Sequence, residues 1–155
     1  MIVEYKFTIT NEGAIPGYVK KLADYLPEEL KFSTELNKDW YEGKDGTIYN
    51  SSLANTIINP GESKEVTLLL TKNMTEESFG LITNTAEIYE TSNDYGLEDI
   101  DSKPGNKATN EDDISTANVL TTVKTGETII YATLTLTIIA IIGVGTYLIK
   151  KKVIK

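Results

Sequence analysis

The 155-residue chain contains no cysteine, no histidine and no arginine. Each absence removes a class of chemistry. Without cysteine there is no disulfide staple and no thiol nucleophile, and without histidine the commonest general base and metal ligand is gone. Zinc therefore has no customary ligand set here. Carboxylates, lysine, serine, threonine and tyrosine remain, and an enzyme is not expected. Long apolar runs are also lacking, with one exception near the C-terminal end.

That exception is Thr128 to Ile149, 22 consecutive residues without a charge, Asn, Gln or Pro. As an α-helix at ~1.5 Å per residue it reaches about 33 Å, the thickness of a bilayer's hydrocarbon core. Lys150, Lys151 and Lys152 follow at once, with Lys155 closing the chain. Lysines beside a span mark its cytoplasmic end, so residues 1–127 are expected outside and 150–155 inside. The outer part carries 11 lysines against 23 acids, a balance of −12. Such a surface repels phosphate backbones, so no nucleic acid is expected as a partner. An outward-facing domain without disulfides is ordinary for a Gram-positive bacterial surface protein. Met1 is followed directly by IVEYKFTIT, with no secretory leader pattern. The expectation is a C-terminal piece of a longer exported protein, with upstream modules as neighbours.

The residues ahead of the span alternate as strands do. Val3, Tyr5, Phe7 and Ile9 share one face over residues 2–10, and Glu4, Lys6, Thr8 and Thr10 share the other. Further strands are expected at 18–22, 30–34, 54–58, 64–71, 81–90 and 115–123, with a hairpin over Trp40–Tyr49 turning at Asp45-Gly46. Asp24 to Glu29 reads as a corner fixed by Pro27. Residues 91–113 are rich in Asp, Glu, Asn, Pro and Gly and read as a long solvated acidic loop. Short strands at this spacing predict a mainly β chain: an immunoglobulin-like antiparallel β-sandwich over 1–123, a joint at 124–127, and a single C-terminal transmembrane α-helix over 128–149.

The order of segments resembles a conserved repeat domain that occurs in tandem in surface proteins of clostridia and other Firmicutes. The matching pieces are EYKFTITNEG (4–13), DYLPEELKF (24–32), INPGESKEVTLLLT (58–71), NTAEI (84–88), DIDSKPGN (99–106) and EDD (111–113). The resemblance implies a β-sandwich module of stalks or adhesive ectodomains at the cell membrane or cell wall, and no enzymatic activity.

Several groups are candidates for a specific role. Thr122-Val123-Lys124-Thr125-Gly126, the apolar run and the lysine tail together resemble a sortase sorting signal, which is cut between Thr and Gly. Here Thr125 and Gly126 are in place, while Thr122 and Val123 stand where the family has Leu and Pro. Asp99 and Asp101, with Asp112 and Asp113 folding back, offer the hard oxygen ligands that structural calcium prefers. Lys103 at the next alternate position breaks the EF-hand pattern. The same acid pairs are the only footing for a carboxylate-based hydrolase, which would need an enclosed cleft to split their pKa values. Trp40, Tyr41 and Tyr49 form an aromatic hairpin that either caps the core or stacks on a cell-wall or host glycan. Lys6 with Asn84 or Asn118 could form an intramolecular isopeptide bond, although Lys6 falls on the polar face of its strand.

Overall fold

The computed structural model describes residues 1–73, 79–99 and 102–121 in full and residues 132–140 by their backbone. Eight strands follow one another: β1 Ile2–Asn11, β2 Tyr18–Tyr25, β3 Trp40–Glu42, β4 Ile48–Asn50, β5 Ser63–Thr71, β6 Gly80–Ser92, β7 Ile114–Thr121 and β8 Ala132–Ala140. One sheet has the order β5-β1-β8 and the other β3-β4-β2-β6-β7. The chain is thus mainly β, with two sheets, and the described residues contain no helix.

The alternation in β1 decides how the sheets meet. Val3, Tyr5, Phe7 and Ile9 are completely buried, whereas the residues between them stay half-exposed. Val66, Leu68 and Leu70 of β5 point the same way. Val19 and Leu22 of β2, Ile48 of β4, Ile82, Ala86 and Ile88 of β6, and Ala117 and Val119 of β7 join them in one core. Each large apolar side chain so enclosed contributes roughly 1.5–3 kcal/mol before the entropy of ordering is charged against it. No disulfide is needed to hold a core of this size together.

Connections carry their own hydrogen bonds. Asn11 donates its side-chain amide to the carbonyls of Ile15 (2.9 Å) and Ile58 (2.8 Å), tying the β1–β2 turn to the segment before β5. Asn37 does the same for the β2–β3 connection, accepting from Leu69 N–H and donating to Leu69 O and Ser33 O. These polar clamps replace two of the expected strands. Residues 30–34 make a single bridge, Lys31 to Thr71, and 54–58 are turns ending in a bridge from Ile58 to Gly17. The expected corner at Asp24 is also corrected: β2 runs on through Asp24 and Tyr25, pairing with Ala86 and Thr85.

Residues 132–140 fall inside the expected membrane span. Their backbone is strand β8, parallel to β1, from Val3↔Ala132 to Asn11↔Ala140. The segment ATLTLTIIA alternates Thr133, Thr135 and Thr137 with apolar residues, a period-2 pattern of β-branched positions that suits a strand. Among the described residues no helix is long and apolar enough to cross a membrane. Residues 128–131 and 141–149 of the expected span, the joint 124–127 and the tail 150–155 lie outside the described residues.

Candidate functional site

The β6–β7 connection is acidic, with seven acids against two lysines over residues 93–113. It begins with Asn93, whose side-chain oxygen accepts the N–H of Tyr95 (3.0 Å) and of Leu97 (3.1 Å). It returns through Gly105, held at φ 78° where a β-carbon would stand 3.0 Å from the Tyr89 carbonyl oxygen. Only glycine meets both conditions. Lys107 follows, also at positive φ, with its N–H donated to Glu87 Oε1 at 3.0 Å and its ammonium 4.2 Å from the centre of the Tyr25 ring. The Tyr25 hydroxyl donates to the other oxygen of Glu87. Burial and this bond to Glu87 push the phenol well above its usual range.

Glu111 acts as a fastener within the loop. Its carboxylate accepts the Lys103 N–H (2.7 Å) and the Asn106 side-chain amide (3.0 Å). These bonds, the one from Lys103 first, hold it below the usual carboxylate range.

Asp113 is placed differently. It is 1 % exposed, and neither carboxylate oxygen accepts a hydrogen bond. Only its backbone is engaged, accepting the Ile88 N–H at 2.7 Å. Burial, and then the nearby charges of Glu87, Glu111, Asp112 and Asp99, push its pKa up to about 7. Ser102, 8 % exposed, donates its hydroxyl to Asp99 at 2.9 Å. The connection is therefore not the wholly solvated loop expected from its composition, because Ser102 and Asp113 are inside it. Asp99 and Ser102 also line an open cleft of about 460 Å³ together with Thr91, Leu97 and Pro104.

Of the four carboxylates expected to gather there, the charges of Asp112 and, less strongly, Asp99 reach Asp113. Asp101 lies outside the described residues. No three His, Cys, Asp or Glu among the described residues form a ready-made metal cage. Thr125, Gly126, Lys150, Lys151 and Lys152 are likewise outside the described residues.

The aromatic hairpin divides into two roles. Trp40 is 4 % exposed, its ring 5.5 Å from that of Phe7 and its indole N–H donated to Thr67 O at 2.8 Å. Its ring belongs to the core, the first of the two placements the sequence left open for Trp40. Tyr49 is also buried, edge-on to Tyr89 at 5.2 Å. Burial and the Asp45 carboxylate raise its hydroxyl to about 12. Tyr41, stacked 5.8 Å from Tyr49, is 45 % exposed and is the ring of the three that solvent reaches.

A second buried polar group escaped the sequence reading. Asp24 of β2 and Asn84 of β6, both completely buried, are joined by a 2.5 Å bond from the amide to Asp24 Oδ2. Tyr5 of the facing sheet is buried beside them, and its hydroxyl, Asp24 Oδ1 and Asn84 Oδ1 accept or donate no bond. Burial pushes Asp24 up to about 7, partly offset by Asn84. An Asp followed by Tyr-Leu-Pro looks like a turn, and no periodicity marks it as interior. Asn84 is thereby engaged with Asp24, and Asn118 accepts from the Thr83 hydroxyl at 2.8 Å. Lys6, on the half-exposed face of β1, is placed on the side away from Asn84, so the geometry of an isopeptide bond is not met.

Comparison with family models, curated proteins and solved structures gives no match.

Proposed function

We propose that the chain is the membrane-proximal structural module of a bacterial cell-surface protein, an immunoglobulin-like sandwich that spaces an upstream region from the membrane. The observation that carries this reading is the pairing of a β-sandwich with a 22-residue uncharged run stopped by three lysines. The acidic pairs are given no catalytic part in it, and its partners are the membrane and the neighbouring modules of the same protein.

The run has two exclusive placements. As β8 it borrows its hydrogen bonds from β1. A lone strand in hydrocarbon would leave its backbone groups without partners, so an inserted chain must be helical. The proposal assigns the strand to the chain in water and the helix to the chain in a bilayer. The absence of native cysteine makes this directly measurable in the full chain carrying Thr135→Cys. After reconstitution into vesicles, the thiol should resist a membrane-impermeant maleimide, while the chain denatured in urea reacts fully. Equal labelling in both would overturn the anchor. A second reading follows from Thr125-Gly126: sortase processing would leave a C-terminal peptide ending at Thr125 in the wall fraction of native cells, instead of one ending at Lys155 in the detergent fraction. A third, glycan contact, now falls on Tyr41, the accessible ring of the hairpin.

A further inference from the structure

We propose that the last rung of the β6–β7 ladder, Leu81 opposite Leu120, with Phe79 beside it, is a contact surface for the interfacial layer of a bilayer. This contact rests on the membrane-anchored reading above and adds to it a surface outside the span. The outer face of these two strands is polar rung by rung: Thr85 faces Thr116, and the Thr83 hydroxyl donates to Asn118 at 2.8 Å. The final rung breaks the pattern. Leu81 is 61 % exposed and Leu120 67 %, and the two are direct cross-strand partners. A single exposed leucine is ordinary, whereas apolar side chains set together on a surface mark a contact.

Strand alternation turns these leucines outward, because their neighbours Ile82 and Val119 point into the core. The ladder itself does not require leucine there, since the threonines of the earlier rungs pair as well and keep the face wet. Phe79, 39 % exposed, precedes β6 and lines one cleft with Leu81, which extends the apolar surface past the end of the ladder. The backbone at this end is also sealed. Thr121 Oγ1 accepts the Gly80 N–H at 3.1 Å and donates to Gly80 O at 3.0 Å, so the terminal groups keep their hydrogen bonds when water is displaced.

The course of the chain selects the partner. Only residues 122–127 separate Thr121 from the uncharged run, and even full extension carries Thr121 no more than ~24 Å from Thr128. The leucine rung therefore belongs to the end of the module nearest the span. The acidic connection 93–113 joins the same two strands at their other end, ~24 Å farther along β7 at ~3.4 Å per residue. The apolar end faces lipid and the charged end stands away from it, the order that contact with a bilayer surface requires. A second copy of the chain would impose no such order along the strands.

The test places single cysteines in the full chain, which has none of its own, and reads an environment-sensitive nitrobenzoxadiazole label in phosphatidylcholine vesicles. Neutral lipid leaves apolar contact to decide. The label at Leu120→Cys should emit to the blue of the same chain in urea, and should be quenched more by a spin label near the headgroups than by one at the bilayer centre. At Thr135→Cys the order should be reversed, and at Tyr95→Cys, in the acidic connection, neither should quench. Leu81→Asp with Phe79→Ser, both at exposed positions, should return the Leu120 label to its emission in water and leave Thr135 unchanged. If Thr135 is quenched while Leu120 behaves as Tyr95 does, the anchor stands and this contact is overturned. A Leu120 label shifted without quenching, or shifted further as protein rises against lipid, means that a second copy covers the rung, which also overturns it. If neither Thr135 nor Leu120 is quenched, the anchor and the contact fall together.

Discussion

Asp24 and Asp113 are both buried aspartates pushed up to about 7, yet they occupy opposite kinds of region. Asp24 sits between the two sheets with one amide partner, Asn84, and the Tyr5 ring at its side. Its shift comes from burial, and Asn84 works against it. Asp113 sits at the edge of a loop, where burial and four neighbouring acids all push in the same direction. A core can hold one ionisable group by keeping its proton on. A loop that collects acids around another has gathered a charge that protonation of a single residue cannot remove. The first arrangement lies between the sheets, whereas the second belongs to a loop whose Asp99 and Ser102 line an open cleft.

Mutation separates the regions, and the largest effect belongs to the core. Trp40→Ala removes a ring packed on Phe7 and leaves Thr67 O without its indole donor. A loss of about 3–5 kcal/mol is expected in urea unfolding of the full chain in detergent. A loss under about 1 kcal/mol would mean that the hairpin is peripheral and the core smaller than described.

The next test concerns charge and has a definite sign. The folded Asp24 titrates at about 7, against ~3.9 for an unfolded aspartate, so the folded chain binds a proton that the unfolded chain has released. Stability is then highest below pH 4 in respect of this group. It falls as pH rises from about 4 to about 7, and is level above that, by an amount on the order of a few kcal/mol. Asp24→Asn should abolish that part of the slope and raise stability at pH 8, as read from urea midpoints at pH 5 and pH 8. An unchanged slope would show that Asp24 stays ionised in the core.

The smallest effect is expected in the loop. Gly105→Ala forces a β-carbon against Tyr89 O at a positive φ, and should cost about 1–2 kcal/mol. Because the loop is fastened by Glu111 and Glu87 independently of the core, it should also unfold locally. Hydrogen exchange at Lys103 and Lys107 would speed up while the amides of β1 and β2 keep their protection. Uniform acceleration throughout would join the two regions into one cooperative unit.

Legibility in the sequence followed the same division. Strict alternation announced β1, β5, β6 and β7 to within a few residues, because each buries one face and exposes the other. The Asp45-Gly46 turn announced the β3–β4 hairpin. Asp24 stayed hidden because a charged residue inside a strand breaks the pattern that identifies strands. Asp113 stayed hidden because EDD reads as water-loving, and its backbone is held by Ile88 of β6, which no local window connects to it. The fastening of the loop by Glu87 and Glu111 was not legible either, because their partners lie many residues away or on the backbone. At Ala132–Ala140 two readings competed: the length and lack of charge of the whole run spoke for a helix, and the threonine period within it for a strand.

The parallel pairing of β1 and β8 also fixes where a pull on this module would act. Ile2 pairs with Thr71, Gly80 pairs with Thr121, and Lys72 and Gly80 line one cleft, so Ile2 and Thr121 stand at the same pole. With β8 laid along β1, the chain leaves at Ala140, beside Asn11, at the far pole and ~30 Å away at ~3.3 Å per residue. Tension between Ile2 and Ala140 then runs along the two strands in opposite directions, and their whole ladder of hydrogen bonds resists together.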